Sequence, residues 1–557
     1  MKNIFYFKNK DVYKNLFMQQ KINLKKVHTG KTIAGSLIAL FLLISTGCTP
    51  DDFLDKTQLN SLAADSFWQT EKDANMGVMG CYDALQGKWI YNTEHVNFAG
   101  LSWDGLADNA QHRWTWQQWE GYSRNNVSPA TWFFEMVWSS HYKGIGRFNE
   151  AIFRIGEMTE EQISAAAKKR FIAEVRFIRA LYYSNMVATF NDVPLVIEVQ
   201  ASTDEPAKSD RKTIVEFIES ELLAIVGDLP PTIDAGEWGR ASKGAAYTLL
   251  ARTNLFNIDN GGTYEKAAQY AGEVLNLGYT LFDDYEKLFK DYNEINNEVI
   301  FPVVFVRGPE DNGSSFEGTW GNGVNNYVIY PMTNLADDYY CTDGKPIQDP
   351  VSGAMNPLYN PDNVWENRDP RLTGTIVGEG ATWRDMTITA GDMSAEPTGL
   401  AFRKWREEED HTENRFDSPQ DWYVFRLGHV LLMRAEALIM SGQHTHGDVN
   451  ASINELRARV GMPSVEDAEG TGLSNQDYID LIRHEWRVET AMEGWRFHNV
   501  QRWGQLEETY NKVNETDHLL FPSVIQKKVY DPRLEVFPIP LPELDRNTNL
   551  VQNPVWQ

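Results

Sequence analysis

The chain of 557 residues carries 78 acidic against 52 basic side chains, a formal net charge of -26. That excess works against binding nucleic acid, which needs a basic stripe for its phosphates, and against electrostatic docking on anionic lipid. Hydrophobic content of 42% and charged content of 23% are ordinary for a globular protein, and three cysteines are too few for a disulfide scaffold or a Cys-rich zinc site.

At the N-terminus, Lys21, Lys25, Lys26 and Lys31 precede an apolar run, IAGSLIALFLLI at 33–44. The run is too short to cross a bilayer core of ~30 Å as a helix, and it follows the basic-then-apolar order of an export signal. Ser45-Thr46-Gly47-Cys48 then resembles a bacterial lipobox, with Ser45 in the place usually held by a large aliphatic residue. The reading is a lipoprotein-type signal peptide over 1–47, for which Met18 is a workable start, and Cys48 as the lipidated first residue of the mature chain. Residues 48–60 form a linker, and its Thr49-Pro50-Asp51-Asp52 is similar to an acidic surface-export signal. This lipid is the only membrane attachment expected. With Cys48 lipidated, Cys81 and Cys341 are the pair left for a disulfide.

The next region, 61–300, opens on an aromatic and polar stretch, GLSWDGLADNAQHRWTWQQ at 100–118. Residues 103–138 hold six of the 18 tryptophans, where an even spread would place about one. Trp132 and Trp138 fall in a helical pattern and are assigned to the core. Residues 161–190 place Phe171, Val175, Ile178, Leu181 and Tyr182 at helical spacing, and Asn191-Asp192-Val193-Pro194 ends the run. Further helices are expected over 213–226, stopping at Pro230-Pro231, from near Ser242, and over 264–277, closed by Gly278. Their spacing is roughly that of tetratricopeptide units. Residues 301–420 are rich in Gly, Asn, Pro and Asp and read as a loop-rich insertion. The last region, 421–557, resumes with helices over 422–441, capped by Gly442, then 448–460 and 475–491.

Several of these segments resemble one family, the SusD/RagB outer-membrane nutrient-binding lipoproteins. The likeness is carried by EVRFIRALYY at 174–183 running into FNDVPLV at 190–196, by GRASKGAA at 239–246 and by YVFRLGHVLLMRAEAL at 423–438. It continues in RHEWRVE at 483–489, GWRF at 494–497, Arg502-Trp503, and the tail elements FPIP at 537–540 and QNP at 552–554. The resemblance implies a mostly α fold, a tetratricopeptide-like helical body whose long loops carry the ligand site. It also implies a cell-surface protein that takes up oligosaccharides, or in some members peptides, and hands them to a SusC-like TonB-dependent transporter. Arg176, Arg179, Glu436, Glu489 and Arg496 sit among apolar neighbours and are expected to serve structure, since buried charges need partners.

Sugar rings offer apolar C–H faces and a rim of hydroxyls, matched by aromatic platforms beside Asp, Asn and Arg. Trp114 and Trp116, with Asp104, Asn109 and Arg113, are therefore expected ligand contacts in the early loop. Trp320, among glycines and asparagines, Tyr327 and Trp383 are the expected contacts in the insertion, and in the family the two regions tend to face one cavity.

Catalytic patterns are incomplete. His484-Glu485 lacks a second histidine, since Val488 stands four residues on, and Ser140-His141-Tyr142-Lys143 has no companion motif. His444 and His446 read as a solvated turn. No cofactor is expected, and nothing in the sequence indicates Ca²⁺. A secreted glycoside hydrolase, which needs two placed carboxylates, remains the alternative from another class.

Overall fold

In the computed structural model, which describes residues 67–92, 99–114, 118–201, 203–308, 313–314, 328–406, 417–442, 445–515 and 528–557, most long helices begin on a capping side chain. Such a cap satisfies a backbone N–H that the first turn leaves without a partner. Helix α1 (Glu71–Asp83) starts on a capping box between Thr70 and Asp73. Two short helices, α2 (Ala99–Gly105) and α3 (Gln118–Ser123), flank strand β1 (Ala110–His112). Next come α4 (Trp132–Glu157) and α5 (Ala165–Phe190), the latter opened by Ser164 and stopped at Asn191, whose φ is 66°. Helices α6 (Arg211–Ile225), α7 (Lys243–Phe256) and α8 (Tyr264–Leu275) start on Asp210, Ser242 and Thr263.

Short strands follow: β2 (Val299–Val303), β3 (Ile329–Pro331), β4 (Ile376–Gly378), β5 (Thr382–Trp383), β6 (Met386–Thr387), β7 (Leu400–Phe402) and β8 (Trp422–Arg426). They pair antiparallel as β1 with β3, β2 with β8, β4 with β7 and β5 with β6. Helices α9 (Leu427–Ser441), α10 (His446–Arg459), α11 (Asn475–Thr490) and α12 (Arg496–Arg502) complete the main elements. The helix expected from 422 therefore begins only at Leu427. Trp422, Tyr423, Val424 and Phe425 suit an extended backbone, and β2 offers it partners.

The helices pack as a chain of neighbours, α4 on α5, α5 on α6, then α6, α7, α8 and α9 in turn, with α10 and α11 both against α9. Adjacent helices each bury an apolar face, so one core runs through the mostly α body. Residues 68–557 form one compact unit, and the stretch 301–420 is woven into it by buried charges rather than hung outside. From that stretch, Arg371 bonds Asp369, Glu485 and Glu489, and Lys404 Nζ donates to Glu493 at 2.6 Å. Arg426 bonds Glu298, Glu489 and Glu493, and all three carboxylates are fully buried.

The charges assigned to structure in the sequence have such partners. Arg176 and Arg179 share Glu221, Glu436 takes Arg502 together with the indole N–H groups of Trp486 and Trp503, and Arg496 grips Asp108. Cys81 and Cys341 are both buried and free, so the disulfide left open by the sequence does not form.

Candidate ligand-binding site

The early aromatic segment is built from α2, a turn and β1. Asp104 faces inward, where its carboxylate accepts from Asn109 Nδ2 at 2.7 Å and from the backbone N–H groups of Met492 and Gly494 at 3.2 and 2.7 Å. Burial pushes its pKa up to about 6, against those hydrogen bonds. Asp108 takes Arg496 at 2.7 and 2.9 Å and also Arg487, and the two guanidinium groups hold it well below the usual carboxylate range although burial opposes them. Asn109 Oδ1 accepts from Arg487 Nε at 3.0 Å.

Asp104 and Asn109 are thus fully buried and already satisfied, which corrects their expected role as ligand contacts. Trp383 is corrected likewise. It is 1% exposed in a small core with Val377 and Ile388, and the guanidinium groups of Arg384 and Arg406 each lie 4.6 Å from its ring.

Beyond β1 the chain reaches the surface. His112 pairs with Ile329 of β3, and Arg113 N donates to Val328 O at 2.8 Å. The segment leaving β1 and the segment entering β3 therefore depart from the same end of one two-stranded clasp. Arg113 is anchored there, with Nη2 on the buried carboxylate of Glu396 at 2.7 Å and Nη1 on Ala395 O at 3.2 Å. Thr398 Oγ1 donates to Pro331 O, so the same stretch braces β3. Below the clasp, Lys528 Nζ donates to Gly105 O at 2.8 Å, and burial pulls its pKa down to about 7.

Trp114 follows directly and is 37% exposed. Trp132, which the helical pattern assigned to the core, is 44% exposed instead, because it is the first residue of α4 and meets Trp89 edge-on at 5.3 Å. Trp138, one turn and a half further, is buried as expected. Trp119 is fully buried and Trp103 half-buried, stacked on Phe497. Of the remaining expected contacts, Trp116, Trp320 and Tyr327 lie outside the described residues, as does Cys48. Glu396 escaped the sequence reading, since nothing near it in the chain marks it as the partner of Arg113.

Comparison with known proteins bears directly on this face. Residues 291–556 match the SusD family model, and residues 52–255 match a model described as starch-binding and associating with the outer membrane. This chain belongs to the SusD family. A SusD-like protein of Bacteroides ovatus is 25% identical over 485 residues, 84% of this chain and 82% of its own length. The starch-binding protein SusD of Bacteroides thetaiotaomicron is 26% identical over 492 residues, 79% of this chain and 82% of that one. Among solved structures, a SusD-like carbohydrate-binding protein from Bacteroides fragilis superposes with a TM-score of 0.76 at 26% identity, covering 87% of this chain and 100% of the other. The SusD models take in both sides of the clasp, the early segment with β1 and the region after Asp291 with β3.

Proposed function

We propose that this SusD-family protein captures oligosaccharides at the cell surface and passes them to a TonB-dependent outer-membrane transporter without breaking their bonds. The observation that carries the reading is the exposed indole of Trp114, set beside the anchored Arg113 at the head of the clasp in a chain of this family. An exposed flat ring beside hydrogen-bonding groups suits stacking on a sugar face. Relatives named for binding starch or carbohydrate support that ligand class.

Binding rather than hydrolysis is favoured by the nearby carboxylates. Asp104, Asp108 and Glu396 are each engaged by internal donors and therefore poorly placed to act as acid and nucleophile on a glycosidic bond. Attachment through a lipid on Cys48 fits the outer-membrane description of the N-terminal family model. Among the described residues, no helix is long and apolar enough to cross a membrane.

The test is calorimetric titration of the purified protein with a panel of glycans, with the reaction mixtures also assayed for released sugars. Binding without release is expected. Trp114→Ala should cost roughly 1–3 kcal/mol of binding free energy, as aromatic hot spots do. Unchanged affinity in a correctly folded variant would remove this face from consideration, and release of sugars would replace capture by hydrolysis.

A further inference from the structure

A partly open cavity of about 470 Å³ lies in the helical body, where the turn after α7 and the first residue of α8 meet the last turns of α9, one face of α11 and the end of α12. None of its lining belongs to the clasp. Its volume falls within the roughly 300–1,000 Å³ typical of small-molecule sites.

Ionised groups are balanced in the lining, where Arg211, Arg483 and Arg502 stand with Asp259, Glu436 and Glu535. Most of them are engaged by the fold. Arg502 grips Glu436 at 2.6 Å, and Glu436 also accepts the indole N–H groups of Trp486 and Trp503. Arg211 donates to Asn257 Oδ1 at 2.7 Å and to Phe256 O at 3.2 Å, and Glu535 accepts from the Tyr530 hydroxyl at 3.2 Å.

Four polar side chains of the lining are left over. Arg483 is held by stacking, its Cζ 5.2 Å from the Trp503 ring centre, and it makes no hydrogen bond among the described residues. The acid nearest to it, Asp480, stands 3.9 Å away and is mostly exposed. Asp259 and Asn260 sit on the turn after α7, and Tyr264 opens α8. None of these three side chains has a hydrogen-bond partner among the described residues, and none of the four has its unpartnered atoms sealed from solvent. The Tyr264 phenol is pushed above its usual range by burial first and then by Glu436 and Asp259, with Arg502 and Arg483 opposing, so the charges of the lining converge on this hydroxyl.

These groups match one kind of ligand. Arginine only donates, aspartate only accepts, and a tyrosine hydroxyl and an asparagine amide do both. Sugar hydroxyls donate and accept, and a sugar's C–H face suits the apolar floor of Ile258, Ile439 and Ile482. Because the lining is balanced in charge, an ionic ligand gains no net counter-charge for the water it loses. We propose that this cavity binds one neutral hexose ring, whose hydroxyls accept from Arg483 and donate to Asp259, with Tyr264 and Asn260 completing the set. The site is separate from capture at the surface, because it uses neither Trp114 nor Arg113.

Saturation-transfer NMR reads such binding from the side of the sugar. The purified protein and its Trp114→Ala variant are titrated with glucose, galactose and mannose, then with the uronate and the amino sugar of whichever hexose binds. Saturable binding of at least one hexose is expected in both proteins, with each charged analogue roughly tenfold weaker. Asp259→Asn should shift the preference towards the uronate and Arg483→Gln towards the amino sugar, opposite changes that a merely structural role would not produce. The methyl glycoside of the bound hexose, tested next, tells the two sources apart: retained binding assigns a unit within a chain, lost binding a free sugar, and either supports the site. The proposal is overturned if no hexose binds, if a charged analogue binds better than its hexose, or if neither variant moves the preference. Binding that disappears in Trp114→Ala also overturns it, since the signal then belongs to the surface site.

Discussion

Glu489 shows how much of this protein is held by single side chains. Its two oxygens accept from Arg426 at 2.8 Å, from Arg459 at 2.6 and 2.7 Å and from Arg371 at 3.2 Å, all in a fully buried setting. The arginines hold its pKa at about 2, even though burial by itself pushes the other way. Glu489→Gln keeps the shape and removes the charge, leaving three guanidinium groups short of an anion. A loss of about 3–5 kcal/mol is expected in urea unfolding, the scale measured when one partner of a buried ion pair is removed. A loss under about 1 kcal/mol would mean that the remaining acids compensate fully. The same logic separates Trp114 from Trp383. One indole meets solvent, and the other lies between guanidinium groups inside a small core.

At the level of elements, two glycines illustrate different constraints. Gly442 ends α9 with φ 67°, and a Cβ there would meet nothing within 4 Å. Gly494, between α11 and α12, has φ 79°, and a Cβ there would stand 2.5 Å from Gly100 O of α2. Gly442→Ala should therefore cost about 1 kcal/mol, the strain of the left-handed backbone alone, whereas Gly494→Ala should cost clearly more. Thermal unfolding of the two variants checks this, and equal losses would show that α2 yields freely. Two helix starts were legible in the sequence, those expected near Ser242 and at 264, which begin at Lys243 and Tyr264 on the local caps Ser242 and Thr263. The runs read from 161 and 213 begin instead at Ala165 and Arg211 on Ser164 and Asp210, caps that the apolar spacing did not mark. Strand β8 was not legible, because its partner β2 lies far back in the chain and a short apolar run reads equally well as helix. The polar residues of the early loop misled for the same reason. Asp104 has the chemistry of a sugar contact, but the backbone N–H that claims it belongs to Gly494, 390 positions on.

Taken whole, the molecule carries buried histidines that make it sensitive to acid. Burial pulls His112 and His498 down to about 3 and His141 and His429 to about 4, so all four are neutral in the folded state. The unfolded chain takes up those protons below about pH 6.5, so the stability that the neutral histidines contribute is full above that value and is lost as the pH falls towards 3. Glu485 and Glu489, held at about 2, add a further loss below about pH 4.5. The urea midpoint should fall steadily from pH 6.5 to 4, and a flat profile over that interval would contradict neutral burial of the histidines. The attachment proposal is tested on the same scale in cells. Cys48→Ala should move the protein from the membrane fraction to the soluble one, and retention there would argue against a lipid on Cys48.

The clasp of β1 and β3 has a consequence for how such a protein diversifies. Because β1 ends and β3 begins at one end of the clasp, where Arg113 N donates to Val328 O, the two strand ends share one backbone edge set above the buried ion pairs. New specificities are then best transplanted as a matched pair, the residues after His112 together with those before Val328. Exchange of either alone would set two unrelated edges against each other across a shared hydrogen bond.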